Sequence, residues 1–181
     1  MGAPLLPAAL AQGLCIKYGW LSPLKEPLDL NLRFRGRRLF GDHKTWRGLT
    51  LNVVFCALGA AAQTWLLGRN YFPAWLGLLD YETYGLAAGV LLGLGVTMGE
   101  LPNSFLKRQL EVAPGKKKKG AWGVVFFLLD QVDLTLGAWV FLYWLVRPSL
   151  GLILWSLVLT LALHVAVSVA GYALGMRKTL F

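Results

Sequence analysis

Five long apolar runs, at about 2–21, 48–67, 85–106, 121–146 and 150–174, are separated by polar segments along this chain of 181 residues. Each supplies the ~20 apolar residues that a helix needs to cross a hydrocarbon core. The runs are apolar around their whole circumference, whereas a surface helix of a soluble domain carries only an apolar stripe. The pattern predicts an all-α integral membrane protein, one domain over 1–181, built as a bundle of about five transmembrane helices. The first run is interrupted by Pro4, Pro7, Gly13 and Lys17 and broken by Ser22-Pro23. With no basic leader or small-residue cleavage site, it is expected to be a membrane helix and not a removable signal peptide. The third run carries Gly85, Gly89, Gly93, Gly95 and Gly99. Glycines four apart let helix backbones approach closely, and they leave a homodimer open as an option. Tyr71, Phe72, Trp75, Tyr81 and Tyr84 lie in or beside the loop from Arg69 to Glu82, as in an aromatic belt at a membrane surface.

Composition agrees with this frame: 56% of residues are hydrophobic and the mean hydropathy is +0.56. Cys15 and Cys56 sit in apolar runs with no metal or redox spacing, so packing explains them. The net charge of +9 would suit nucleic acid, anionic headgroups or an anionic substrate. Its distribution decides among these. If all five runs span, 16 of the 18 Lys and Arg fall on one side, leaving Arg69 and Arg147 on the other. The positive-inside rule then puts the N-terminus outside, the C-terminus in the cytoplasm, and the loops at about 22–47 and 107–120 on the cytoplasmic face. Headgroups and an anionic substrate are favoured, and nucleic acid is not.

Acids at the ends of these runs bring in chemistry. A carboxylate in an apolar helix is costly and points to function. Asp130 and Asp133 are three apart and share one face of the fourth helix. Glu100 lies two residues before Pro102, which is expected to kink or open the third helix. Ser104, Lys107 and Arg108 follow. Hard divalent cations take carboxylate and phosphate oxygens together, and phosphoryl chemistry is catalysed by metal and Lys or Arg clamps. The same acids would also fit a structural ion pair or the ion pathway of a transporter. A lipid-binding scaffold would explain the basic loops alone, including the run Lys116 to Lys119, which suits a solvated loop near headgroups. The polar segment Gly41 to Gly48 lacks the Walker phosphate-loop spacing. His43 and His164 have no partner at metal-ligand spacing.

The series Gly99-Glu100-Leu101, Ser104, Lys107-Arg108, then Asp130-Gln131 and Asp133, resembles the signature of the membrane CTP-transferase superfamily, which includes the phosphatidate cytidylyltransferases. The short chain, Pro27-Leu28-Asp29, and Gly41-Asp42 with Lys44-Thr45 and Arg47-Gly48 are similar to the CDP-archaeol synthases. The resemblance runs from about Pro27 to Asp133. It implies a cell-membrane enzyme that takes CTP and a lipid phosphate, of the 2,3-di-O-geranylgeranylglyceryl phosphate type, to a CDP-lipid and pyrophosphate with Mg²⁺. The alternative acceptor is phosphatidate. The implied metal residues are Glu100, Asp130 and Asp133, sharing one cluster. Asp130, Asp133 and Lys107 are expected to be catalytic. Asp42, Lys44, Thr45, Arg47, Ser104 and Arg108 are expected to bind the substrates. Three positions depart from the family pattern: Glu100 stands where Asp is frequent, His43 where Gly is usual, and Gln109 to Gly120 lacks the His-Gly-Gly element of bacterial-type enzymes.

Overall fold

The computed structural model describes residues 4–69, 79–112 and 121–173, with the side chains of 121, 124, 131 and 163–173 excepted. Tyr71, Phe72, Trp75, the Lys116–Lys119 run, the C-terminal Arg177-Lys178 and the His164 side chain lie outside the described residues. Within them the chain forms five α-helices: α1 (Leu5–Lys17), α2 (Trp46–Gly68), α3 (Tyr81–Gln109), α4 (Ala121–Leu142) and α5 (Leu150–Ala173). The apolar runs therefore become helices, with shifted ends. α1 stops at Lys17 and Gly19 turns the chain at φ 68°, so this helix is shorter than the 2–21 run. α3 starts four residues early, capped by the Asp80 carboxylate on the N–H groups of Glu82 and Thr83. α4 ends at Leu142 rather than 146.

α2 and α3 are each long and apolar enough to cross a membrane. They differ in surroundings: 44% of the α3 apolar window is buried inside the protein, against 17% for α2. α3 is the central helix, packed on α2 along one side and α4 along the other, with α1 against α2 and α5 against α4. Glycine explains how one helix serves two neighbours. A Cβ on Gly93 would lie 2.5 Å from the Val53 Cα of α2. A Cβ on Gly99 would lie 2.5 Å from the Asp133 carbonyl oxygen of α4. Any side chain there would force the backbones apart. The α3 glycines thus serve packing within the chain, and they give no argument for a second copy. Asn52 donates to Thr97 across the α2–α3 seam (3.0 Å), and Trp139 donates to Ser156 between α4 and α5 (2.7 Å). Large side chains such as Leu10, Trp155 and Leu159 remain exposed on the outer helices, as a lipid-facing surface requires.

Two expectations are corrected. α3 stays helical through Pro102 and does not open there; only the hydrogen bond to the Met98 carbonyl is forfeited. The first basic loop is not featureless, and the fold is not purely α. It holds a single 3₁₀ turn (Ser22–Lys25) and an antiparallel hairpin of β1 (Arg33–Phe34) and β2 (Arg37–Arg38). Arg35 and Gly36 form its turn at φ 52° and 79°, the left-handed pair that matches hairpin twist.

Candidate functional site

The loop between α1 and α2 is organised around Asp29, 2% exposed. Its carboxylate accepts from the N–H groups of Asn31 (3.1 Å), Phe40 (3.0 Å) and Gly41 (3.0 Å), and from the Arg38 guanidinium at 2.6 and 3.3 Å. Burial pushes the pKa up, but Arg38 and the three N–H donors outweigh it and hold the acid well below the usual carboxylate range. Arg38 also reaches Asp42 (2.9 Å), which is largely exposed. The Leu28 N–H donates to the Lys44 carbonyl (2.7 Å) and the Trp46 N–H to the Glu26 carbonyl (3.0 Å). These pairings aim Lys44 toward the helices. Gly41, at φ 90°, lies against the Arg108 side chain, which a Cβ would meet at 3.5 Å.

On the helical side, α3 presents Glu100, Asn103, Ser104, Lys107 and Arg108 over two turns, opposite Asp130 and Asp133 of α4. Lys44 pairs with Glu100, and Lys107 pairs with Asp130. Asn103 donates its amide to both acids, Asp130 at 2.6 Å and Asp133 at 2.9 Å. The second Asp133 oxygen accepts from the Leu134 N–H (2.8 Å). Through Lys44 on Glu100 and Asn103 on both aspartates, the loop and both helices meet at one polar centre. Loop and helix end are clamped by Arg37, which donates to the Gln109 carbonyl and to Glu111 (2.5 Å).

The structure thus assembles Lys44, Glu100, Lys107, Asp130 and Asp133, with Arg108 and Asp42 at the loop side. Lys44 engages Glu100 while Asn103 joins the two aspartates, and among the described residues no three carboxylate, His or Cys side chains stand together. Thr45 and Arg47 have architectural contacts. The Thr45 hydroxyl oxygen accepts from the Gly48 N–H (3.2 Å) and caps α2. Arg47 donates to the carbonyls of Cys15 (3.5 Å) and Trp20 (3.3 Å), pinning the end of α1. Ser104 is half-buried, four residues from both Glu100 and Arg108.

Sequence reasoning gave no role to Asn103 or Arg38. The available signal for Asn103 was its spacing, four residues before Lys107 on the same helix face. Arg38 had none, being one arginine among several in a basic loop.

Beside this centre a cavity of about 360 Å³ runs between α3 and α4. Its lining is apolar, with Leu106, Leu136, Val140 and Phe141 among it, and Asn103 and Asp133 are the polar side chains that reach it.

The same fold occurs in a solved structure described as "Structural insight into an intramembrane enzyme for archaeal membrane lipids biosynthesis", with a TM-score of 0.62 and 24% identity over 93% of this chain and 92% of that one. The chain is 33% identical to the CDP-archaeol synthase of Methanosphaerula palustris over 180 residues, covering 96% of this chain and 98% of the relative. It is 35% identical to the CDP-archaeol synthase of Methanoculleus marisnigri over 159 residues, covering 84% and 87%. The family model described as CarS-like: CDP-archaeol synthase matches residues 4–181. The chain belongs to the CarS-like CDP-archaeol synthase family.

Proposed function

We propose that this protein transfers the cytidylyl group of CTP to a membrane lipid phosphate of the 2,3-di-O-geranylgeranylglyceryl type, forming CDP-archaeol and pyrophosphate for phospholipid synthesis. Membership of the family over nearly the whole chain supports the reaction. The observation that carries the local reading is the polar centre opening onto an apolar groove, with Asp133 and Asn103 in both. A lipid phosphate fits such a place head to centre and chain to groove.

A phosphate oxygen of the lipid attacks the α-phosphorus of CTP in line, forming the new P–O bond as the bond to the β-phosphate oxygen breaks. Pyrophosphate leaves with that electron pair. Lys44 and Lys107, each held by a carboxylate, exchange that partner for phosphate oxygens and stabilise charge as it develops. Arg108 and Ser104 extend the phosphate contacts on α3. Asp42 and Arg47 shape the loop side, and the Thr45 hydroxyl, whose oxygen is engaged as a cap, keeps its hydrogen to donate to a phosphate. Asp130 and Asp133, joined by Asn103, offer only oxygen, which suits a hard divalent ion completed by phosphate oxygens and water, and Glu100, paired with Lys44, stands on the facing helix. The two aspartates would hold Mg²⁺, which would neutralise charge on the leaving pyrophosphate. Charge asymmetry supports a plasma-membrane, multi-pass arrangement with this face toward the cytoplasm, where CTP is available.

The test supplies purified protein with labelled CTP, Mg²⁺ and either geranylgeranylglyceryl phosphate or phosphatidate. CDP-lipid is expected from the first acceptor, none after EDTA, and about 10³-fold less from Asp130→Asn. Turnover of phosphatidate alone would reassign the acceptor. Absence of product from either lipid would sink the enzymatic reading.

A further inference from the structure

Asn103 is 5% exposed, in the middle of the α3–α4 seam. Its Nδ2 is shared between the Asp130 Oδ1 and the Asp133 Oδ2, at 2.6 and 2.9 Å. Its Oδ1 is buried and has no hydrogen-bond partner among the described residues. Facing two carboxylates, only the NH₂ side of the amide can point inward, so its orientation is set by chemistry. An orphaned buried oxygen is a cost that an apolar residue at the same place would avoid, which argues against packing as the reason for an Asn here. The seam places it: Gly99, one turn before, abuts the Asp133 carbonyl, and a Cβ there would also meet the Gly137 Cα at 2.7 Å.

We infer that Asn103 is the positioning residue of this site: its amide sets the spacing and direction of the Asp130 and Asp133 carboxylates so that a divalent cation finds them already placed. The inference rests on the cation reading under the proposed function. Two carboxylates three residues apart on one helix repel, and each can turn away about its own side-chain bonds. A donor held by a neighbouring helix removes that freedom. Lys107 donates to the same Asp130 oxygen as Asn103, and the Leu134 N–H holds the far oxygen of Asp133. Asn103 is the one group that touches both acids among the hydrogen bonds described.

The test is Mn²⁺ binding, read by electron paramagnetic resonance on the full chain in detergent without nucleotide. Asn103→Leu keeps the volume and loses the donor; Asn103→Ala loses both and serves if the Leu variant does not elute as a monodisperse species. Mn²⁺ affinity is expected to fall by about 10–100-fold in either, the usual effect of removing a partner that orients a metal ligand. The Mg²⁺ concentration for half-maximal turnover should rise by the same factor, while KM for the lipid phosphate stays put. Asn103→Gln, which retains an amide, should recover part of the affinity. Wild-type binding with unchanged affinity in the donor-less variants would overturn the role of Asn103 alone. A wild-type protein that binds no Mn²⁺ would overturn the cation reading and this inference with it.

Discussion

Among the described residues carboxylates organise two polar centres, and these are finished to different degrees. Around Asp29 the side chain is 0% exposed and its oxygens meet three backbone N–H groups and a guanidinium. At the α3–α4 centre Asp130 is 46% exposed, and among the described residues Asn103 keeps an unpaired oxygen and Lys107 is held by a single carboxylate. A buried network with every member satisfied makes structure rigid, and one with a member left open has capacity for something else. Asp29 shapes the loop that delivers Lys44.

The largest expected effect is at the unfinished centre. Asp130→Asn should lower CDP-lipid formation by about 10³-fold, equivalent to about 4 kcal/mol of barrier, with a melting temperature in detergent near that of the wild type. Should the variant melt early instead, Asp130 is an architectural acid like Asp29 and the contrast collapses.

Next comes the finished centre. Asp29→Ala removes the acceptor of three backbone N–H groups and leaves Arg38 only its exposed partner Asp42, and should destabilise by about 3 kcal/mol, read as a lowered melting temperature. The pH dependence sharpens this. Because the folded-state pKa of Asp29 is lowered, its stabilisation is complete above the ordinary carboxylate pKa of about 4 and is lost as pH falls toward the folded value. Wild type should lose stability over that acid range more steeply than Asp29→Asn. A stable Asp29→Asn protein with no turnover would move Asp29 into the reacting centre.

Smaller effects are expected at the joints between the two. Thr45→Ala should cost about 1 kcal/mol through the α2 cap, and Thr45→Ser should restore it. A rise in KM for CTP in Thr45→Ala, beyond what the lost cap explains, would tie this residue to the nucleotide. Arg37→Ala should cost less than about 1 kcal/mol, since its pair with Glu111 is exposed, and the difference should shrink at high salt.

Much of the scaffold is legible in the primary structure because it is local. Apolar runs of sufficient length become helices wherever the surroundings are apolar, and the i, i+3 spacing of Asp130 and Asp133 puts them on one face by helix geometry alone. Charge asymmetry and motif order likewise need no coordinates. The hairpin escapes such a reading: its two-residue strands are too short for an alternating pattern, and Arg35 in a left-handed conformation carries no turn signature of its own. So does the division of labour among Lys44, Thr45 and Arg47, neighbours in one motif, of which one reaches the acids, one caps α2 and one pins α1.

By itself, the sequence determined five apolar helices, a strongly one-sided charge, and a set of acids and cations fit for phosphate chemistry. Only the tertiary structure decided which cation meets which acid. Lys44 and Glu100 are 56 residues apart, and Asn103 reaches Asp130 and Asp133 across 27 and 30. Those meetings depend on how closely α3 and α4 approach at Gly99 and Gly137 and on where Asp29 folds the loop. Both are properties of surfaces in contact, which the periodicity of a single helix does not encode.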